Sequence, residues 1–205
     1  TGVQKNGTMT ARKMDAVSIT GAYASHGHAV AAAGGSKKSY LYPRMATRYH
    51  AKTMYANIPA AGAMRAYGSP QVIYALDCAT EDAARAIGMD PVEFRLKNIA
   101  RKGDINQLSG KEILSCGMAE CLIKGREFMD WDNKKKAYEK YKTGPVRRGL
   151  GVACLSYASG TYPVCVEIAG VRIALNQDGT VHVMVGATEI GQGSDTAMAM
   201  LASDE

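Results

Sequence analysis

Several function classes are excluded by what this sequence lacks. No apolar run reaches membrane-spanning length and nothing reads as a signal peptide, so the expectation is a cytoplasmic protein with no membrane contact. The five cysteines, Cys78, Cys116, Cys121, Cys154 and Cys165, include no C-x-x-C pair. Their odd count and irregular spacing argue against a disulfide framework and against a zinc site, and they read as buried reduced thiols. Positive charge is not gathered into an arm, although the net charge is +6. The densest run, Lys134-Lys135-Lys136, lies among Asp132 and Glu139 and reads as a solvated helix face, not a nucleic-acid contact. The histidines show no metal-ligand spacing beyond His26/His28, which reads as polar surface. Ser156 lacks the pattern of a nucleophile elbow. Aromatics are sparse apart from the 11 tyrosines.

What is present suits a folded chain. Hydrophobic residues make up 46% of the 205 residues, enough for a core in one large or two small domains, and 22 glycines imply tight turns and close backbone approaches. The chain opens at Thr1 in a strand-like segment and closes in a helix-like one, so it reads as an internal piece of something larger.

Element signals follow in order. Val3 to Ile19 reads as a hairpin about Asn6-Gly7, because a two-residue hairpin turn needs positive φ at both centres. The Gly-, Ala- and Ser-rich stretch Thr20 to Gly35 reads as a break in regular structure, and Tyr40 to Asn57 as one or two strands. A helix is expected from Ser69 as cap and Pro70 as first helical residue to Gly88. A second begins at Asp90-Pro91-Val92-Glu93, which is capping-box-like, and others cover Met118 to Met129 and Trp131 to Lys142. After Thr143-Gly144-Pro145 the character turns to strands: Arg148 to Ser156, Val164 to Leu175, and Thr180 to Val185 beyond an Asn176–Gly179 turn. A last helix starts near Ser194. The fold class expected is α+β, with a boundary near residue 145 separating residues 1–145 from 146–205.

Two loops carry chemical promise. Gly62-Ala63-Met64-Arg65-Ala66-Tyr67-Gly68-Ser69-Pro70 joins small residues, one arginine and one ring to a helix entrance. Backbone N–H groups there attract anions, a guanidinium adds charge-assisted bonds, and a ring stacks on flat ligands. The alternative is an ordinary loop-to-helix junction with a surface Arg and a core Tyr. The second loop, Gly186 to Thr196, follows a strand and opens a helix, as phosphate-cradling loops do, but its spacing matches neither a Walker loop nor a dinucleotide fingerprint. Gln192 between Gly191 and Gly193 places a long amide donor on bare backbone, suited to an oxo or phosphate oxygen. A helix start capped by Ser194 accounts for Ser194 but not for Gly191-Gln192-Gly193.

At these loops the chain resembles the molybdenum-binding subunit of the xanthine dehydrogenase and aldehyde oxidase family. Arg65-Ala66-Tyr67-Gly68-Ser69-Pro70-Gln71 is similar to an Arg-Gly-Phe-Gly-Gly-Pro-Gln loop, Gly88 to Asn98 to a "GMDPxEFRxKN" helix start, and Thr188-Glu189-Ile190-Gly191-Gln192-Gly193 to a cofactor-binding loop. Gly21 to Ser25 and Asp178-Gly179 also fit, and the landmarks run in family order through nearly the whole chain. Ser156 to Pro163 looks most like bacterial xanthine dehydrogenases. The sequence departs at Tyr67, where phenylalanine is usual, and at Ala66 and Ser69, which replace glycines. Gly34 to Lys38 occupies the region where purine oxidisers place an arginine.

The resemblance implies a fragment spanning parts of two molybdopterin-binding domains. Its parent would hydroxylate a purine such as hypoxanthine or xanthine with oxygen from water; the same family acts on nicotinate, aldehydes or other aromatics. The cofactor implied is molybdenum-molybdopterin in the cytosine dinucleotide form, with the metal held by the pterin dithiolene and by no protein side chain. Arg65 and Gln192 would act at the metal centre, Tyr67 would stack on the substrate, and Met64, Arg65, Ile190, Gly191, Gln192 and Gly193 would hold the cofactor. Iron–sulfur and FAD groups would sit in partner subunits or domains, within an oligomeric parent. The family's catalytic glutamate would lie outside this chain, leaving the fragment alone inactive. A relative of the same fold used only for binding or assembly is the reading of a different class.

Overall fold

Strand β1 (Gly2–Val3) pairs antiparallel with β2 (Met9–Gly21), but the connection is longer than the expected two-residue turn. Val3 pairs with Met9, the Gly7 N–H donates to the Gln4 carbonyl, and of Asn6 and Gly7 only Gly7 has positive φ. This computed structural model describes residues 1–157 and 168–204. The chain divides into two compact units, Thr1–Tyr157 and Ala158–Glu205. In the first, β2 leads into helix α1 (Gly27–Leu41), which crosses over to β3 (Ala46–Tyr55), parallel to β2. The sheet order is β1-β2-β3. Lys13, Asp15, Val17 and Ile19 are exposed on β2, and the residues between them are wholly or partly buried, as the period of two requires.

Helix α1 replaces the irregular stretch expected between Thr20 and Gly35. Alanine favours helix strongly, and here Ala29 and Ala31 to Ala33 outweigh the glycines. Those glycines serve contact. A Cβ on Gly27 would strike Thr20, one on Gly34 would meet the Gly68 carbonyl at 2.6 Å, and one on Gly35 would strike the Tyr49 ring. The strand of the Tyr40–Asn57 region is therefore confined to β3.

Helix α2 (Ser69–Ala86) and helix α3 (Pro91–Asn98) complete the core of this unit, with Leu76, Phe94 and Ile99 fully buried. Asp90 caps α3 as expected, accepting from the Val92 and Glu93 N–H groups. The start of α2 differs from expectation. Gly68 is its cap residue, in the left-handed region, while Ser69 lies inside the helix with its hydroxyl buried and without a partner among the described residues. Helices α4 (Met118–Phe128) and α5 (Trp131–Tyr138) follow, and Glu139–Tyr141 tightens into a 3-10 turn.

Charged residues are used inside this core. The Arg95 guanidinium, almost wholly buried on α3, meets Asp77 at 2.9 Å and Glu81 at 3.2 Å on α2. Arg12, buried on β2, donates to Thr80 of α2. Asn98 accepts from the Met9 N–H and donates to the Gly7 carbonyl, tying the end of α3 to the first hairpin. The segment from Arg148 to Ser156, expected as a strand, joins no ladder among the described residues; it packs by burying Cys154 and Val152 against the core. Cys154 fits the expectation of a buried thiol, and burial pushes it up to about 11, whereas Cys78 and Cys121 are exposed. Cys165 and the other features expected within residues 158–167 lie outside the described residues.

In the second unit, β4 (Val171–Leu175) and β5 (Val181–Val185) form an antiparallel hairpin about the Asn176–Gly179 turn, and helix α6 (Ser194–Asp204) follows. The architecture is α+β. No helix among the described residues is long and apolar enough to cross a membrane.

Candidate functional site: two glycine loops

The loop before α2 is strained. Ala66 and Tyr67 hold φ of 75° and 44°, and Gly68 continues at 83°. The described residues include four non-glycine positions with positive φ: these two, Ser25 at 35°, and Asp130. A left-handed conformation costs a residue with a Cβ about 1–2 kcal/mol, and such strain gathers where surrounding structure holds a ligand-facing backbone. The loop is held by α1. A Cβ on Gly68 would lie 2.3 Å from the Val30 carbonyl, so the two backbones touch. Met64 and Arg65 are exposed at its tip, and Tyr67 is half-buried. The Tyr67 hydroxyl lies 2.8 Å from His26 Nδ1, and the two rings meet edge to face at 6.1 Å. His26, read from sequence as polar surface, is thus part of the loop's support. No spacing signal could reveal it, since the partners are 41 residues apart.

The loop between β5 and α6 is a set of amides closed around a carboxylate. Glu189 accepts from the N–H groups of Gly191 (2.5 Å), Gly193 (3.2 Å) and Asp195 (3.3 Å), and from the Ser194 hydroxyl (3.0 Å). Gly191 and Gly193 have φ of 91° and 85°, which only glycine adopts freely. These donors, the Gly193 amide foremost, pull the Glu189 carboxyl down to about 2. Ser194 therefore acts as a donor within this cluster. Gln192 is folded back: its Oε1 accepts from the Ile190 N–H at 2.7 Å and its Nε2 donates to the Thr188 carbonyl at 2.6 Å. Ile190 and Gly193 are exposed. The residue pattern points to Gln192 and not to Glu189. The signal available was an acid two residues before a Gly-x-Gly turn at a helix start.

Two patterns of one description, the molybdopterin cofactor-binding domain, match residues 1–99 and 124–205. The chain belongs to this family. It is 55% identical over 203 residues to a putative xanthine dehydrogenase molybdenum-binding subunit of Escherichia coli K12, covering 99% of the chain and 27% of that protein. It is 30% identical to a probable hypoxanthine oxidase of the same organism, covering 99% of the chain and 22% of that protein. Among solved structures, an aldehyde oxidoreductase from Desulfovibrio desulfuricans superposes with a TM-score of 0.74 at 26% identity, over 87% of this chain and 19% of that one. The chain thus spans about a quarter of the length of the curated relatives it matches.

In the loop between β5 and α6 the amides of Gly191, Gly193 and Asp195 are already occupied by the chain's own Glu189 carboxylate. Among the described residues no cluster of His, Cys, Asp and Glu could hold a metal ion.

Proposed function

We propose that this chain is the part of a molybdenum hydroxylase subunit that supplies two cofactor-facing loops, and that the parent oxidises a purine such as hypoxanthine or xanthine. The observation that supports it best is that both loops, one with Met64 and Arg65 exposed and the other with Ile190 to Gly193 exposed, lie within the stretches that match the molybdopterin cofactor-binding domain. The cofactor, in its cytosine dinucleotide form, supplies the redox chemistry and the activated oxygen when bound. Met64, Arg65, Ile190, Gly191, Gln192 and Gly193 hold it, and Arg65 and Gln192 contribute at the metal centre. Gln192 reaches a cofactor oxygen by exchanging its bonds to Thr188 and Ile190. Tyr67 stacks on the flat substrate. Iron–sulfur and FAD groups, held in partner subunits or domains, would supply the electron exit, and the assembly is cytoplasmic and oligomeric. The domain boundary of the parent falls near residue 145.

The test uses the full-length subunit. Gln192→Ala is expected to lower turnover roughly tenfold or more, the rate equivalent of a lost charge-assisted or oxo-directed hydrogen bond. Tyr67→Ala raises KM for xanthine and leaves molybdenum content nearly unchanged. Equal molybdenum loss in both variants would contradict this division of roles. Preference for nicotinate or an aldehyde over xanthine in the same assay overturns the purine assignment.

A further inference from the structure

We infer that His26 is a positioning residue for Tyr67, holding its ring in the orientation that receives the substrate; this rests on the reading of Tyr67 as the stacking residue. Three observations converge. The Tyr67 hydroxyl and His26 Nδ1 are 2.8 Å apart with the rings edge to face. Ser25, beside His26, and Ala66 and Tyr67 itself supply three of the four positive-φ non-glycine positions among the described residues, so strained backbone lies on both sides of the contact. Finally, the loop backbone is seated on α1 by Gly34 against Gly68 and Gly68 against Val30.

The division of labour follows from these contacts. The glycine contacts position the loop backbone but leave the tyrosine side-chain torsions free, because they touch no atom of the ring. His26, at the start of α1, fixes the far end of that ring through its hydroxyl. Tying the ring at Cα and at its hydroxyl removes its swing about the Cα–Cβ bond. The edge-to-face contact with the His26 ring restrains the remaining spin about the axis through Cβ and the hydroxyl, so both rotations that stacking would otherwise have to freeze are limited. The phenylalanine usual at this position in the family that the sequence resembles has no hydroxyl for such a tie. The tie therefore depends on the hydroxyl that this sequence carries at Tyr67.

The experiment compares His26→Ala, His26→Gln, Tyr67→Phe, Tyr67→Ala and the double variant His26→Ala/Tyr67→Phe in the full-length subunit. KM and kcat are measured for xanthine with an artificial electron acceptor. Tyrosine hydrogen bonding is read by resonance Raman difference spectra on cofactor-free protein. His26→Ala and Tyr67→Phe each raise KM roughly three- to tenfold, the worth of one hydrogen bond, with little change in kcat. The double variant is no worse than either single one, and His26→Gln recovers part of the loss. The Raman difference between wild type and Tyr67→Phe reports a hydrogen-bonded phenol, and it shifts when His26 is alanine. If Tyr67→Ala raises KM but His26→Ala does not, the positioning role is wrong while the stacking reading stands. If Tyr67→Ala also leaves KM unmoved, both fall. Additive effects in the double variant also overturn the coupling.

Discussion

The alanine at position 66 holds φ 75° in a loop where the resembling motif has glycine. A left-handed conformation costs alanine about 1–2 kcal/mol, while glycine loses about 0.5–1 kcal/mol in ordering its backbone. The first effect is the larger. Ala66→Gly is therefore expected to stabilise the protein by roughly 0.5–1 kcal/mol, seen as a rise in denaturant midpoint at unchanged slope. A lower midpoint contradicts the strain. Glu189 offers a test by titration. Its folded pKa, about 2, lies below the ordinary glutamate value, so its contribution to loop order is complete above that ordinary value. It declines as pH falls and is lost through about 2. The Gly191 and Gly193 amide proton shifts are expected to titrate together with a midpoint near 2; a midpoint in the ordinary glutamate range would show that the carboxylate is not held by these amides.

Among the elements, α3 shows how a family landmark can be structural. In Asp90 to Asn98, Asp90 caps the helix, Phe94 fills the core, Arg95 bridges to Asp77 and Glu81, and Asn98 fastens the hairpin turn. Breaking a buried pair leaves one charge uncompensated, which costs about 3–5 kcal/mol. Asp77→Ala is expected to cost less than this, about 1–3 kcal/mol, because Glu81 remains as a partner at 3.2 Å. A loss under 1 kcal/mol in chemical denaturation would mean that water reaches Arg95. The α3 cap and helix start were legible in the sequence because capping is local. Helix α1 was not: its glycines looked like breakers, and only the surfaces of Thr20, Gly68 and Tyr49 pressed against them explain their use.

The chain covers 27% of its 55%-identical relative, and the proposed cofactor is a large anion needing contacts from several loops. The 205-residue chain alone is expected to hold no molybdenum and to show no xanthine oxidation. Elemental analysis together with an assay on an artificial electron acceptor checks this. Stoichiometric metal with turnover would show that the chain is a complete enzyme. Its exposed apolar residues, Leu175 and Ile168 among them, favour self-association of the isolated chain.

The sequence by itself determined those features whose physics is local. Asn6-Gly7 and Asn176 to Gly179 make turns, Asp90 caps a helix, and the strand–glycine loop–helix at 181–204 folds as its spacing requires. The loops that resemble the family's motifs were visible for the same reason, as short runs of unusual residue types. Tertiary structure decided what depended on distant partners. It converted a glycine-rich stretch into a crossover helix and made Ser69 a buried helical residue. It left Arg148 to Ser156 without a ladder among the described residues, joined Arg12 to Thr80 and Arg95 to Asp77 inside a core, and set His26 against Tyr67. A hydrogen bond between residues 41 positions apart depends on how α1 and the loop before α2 pack, and neither segment alone encodes that meeting.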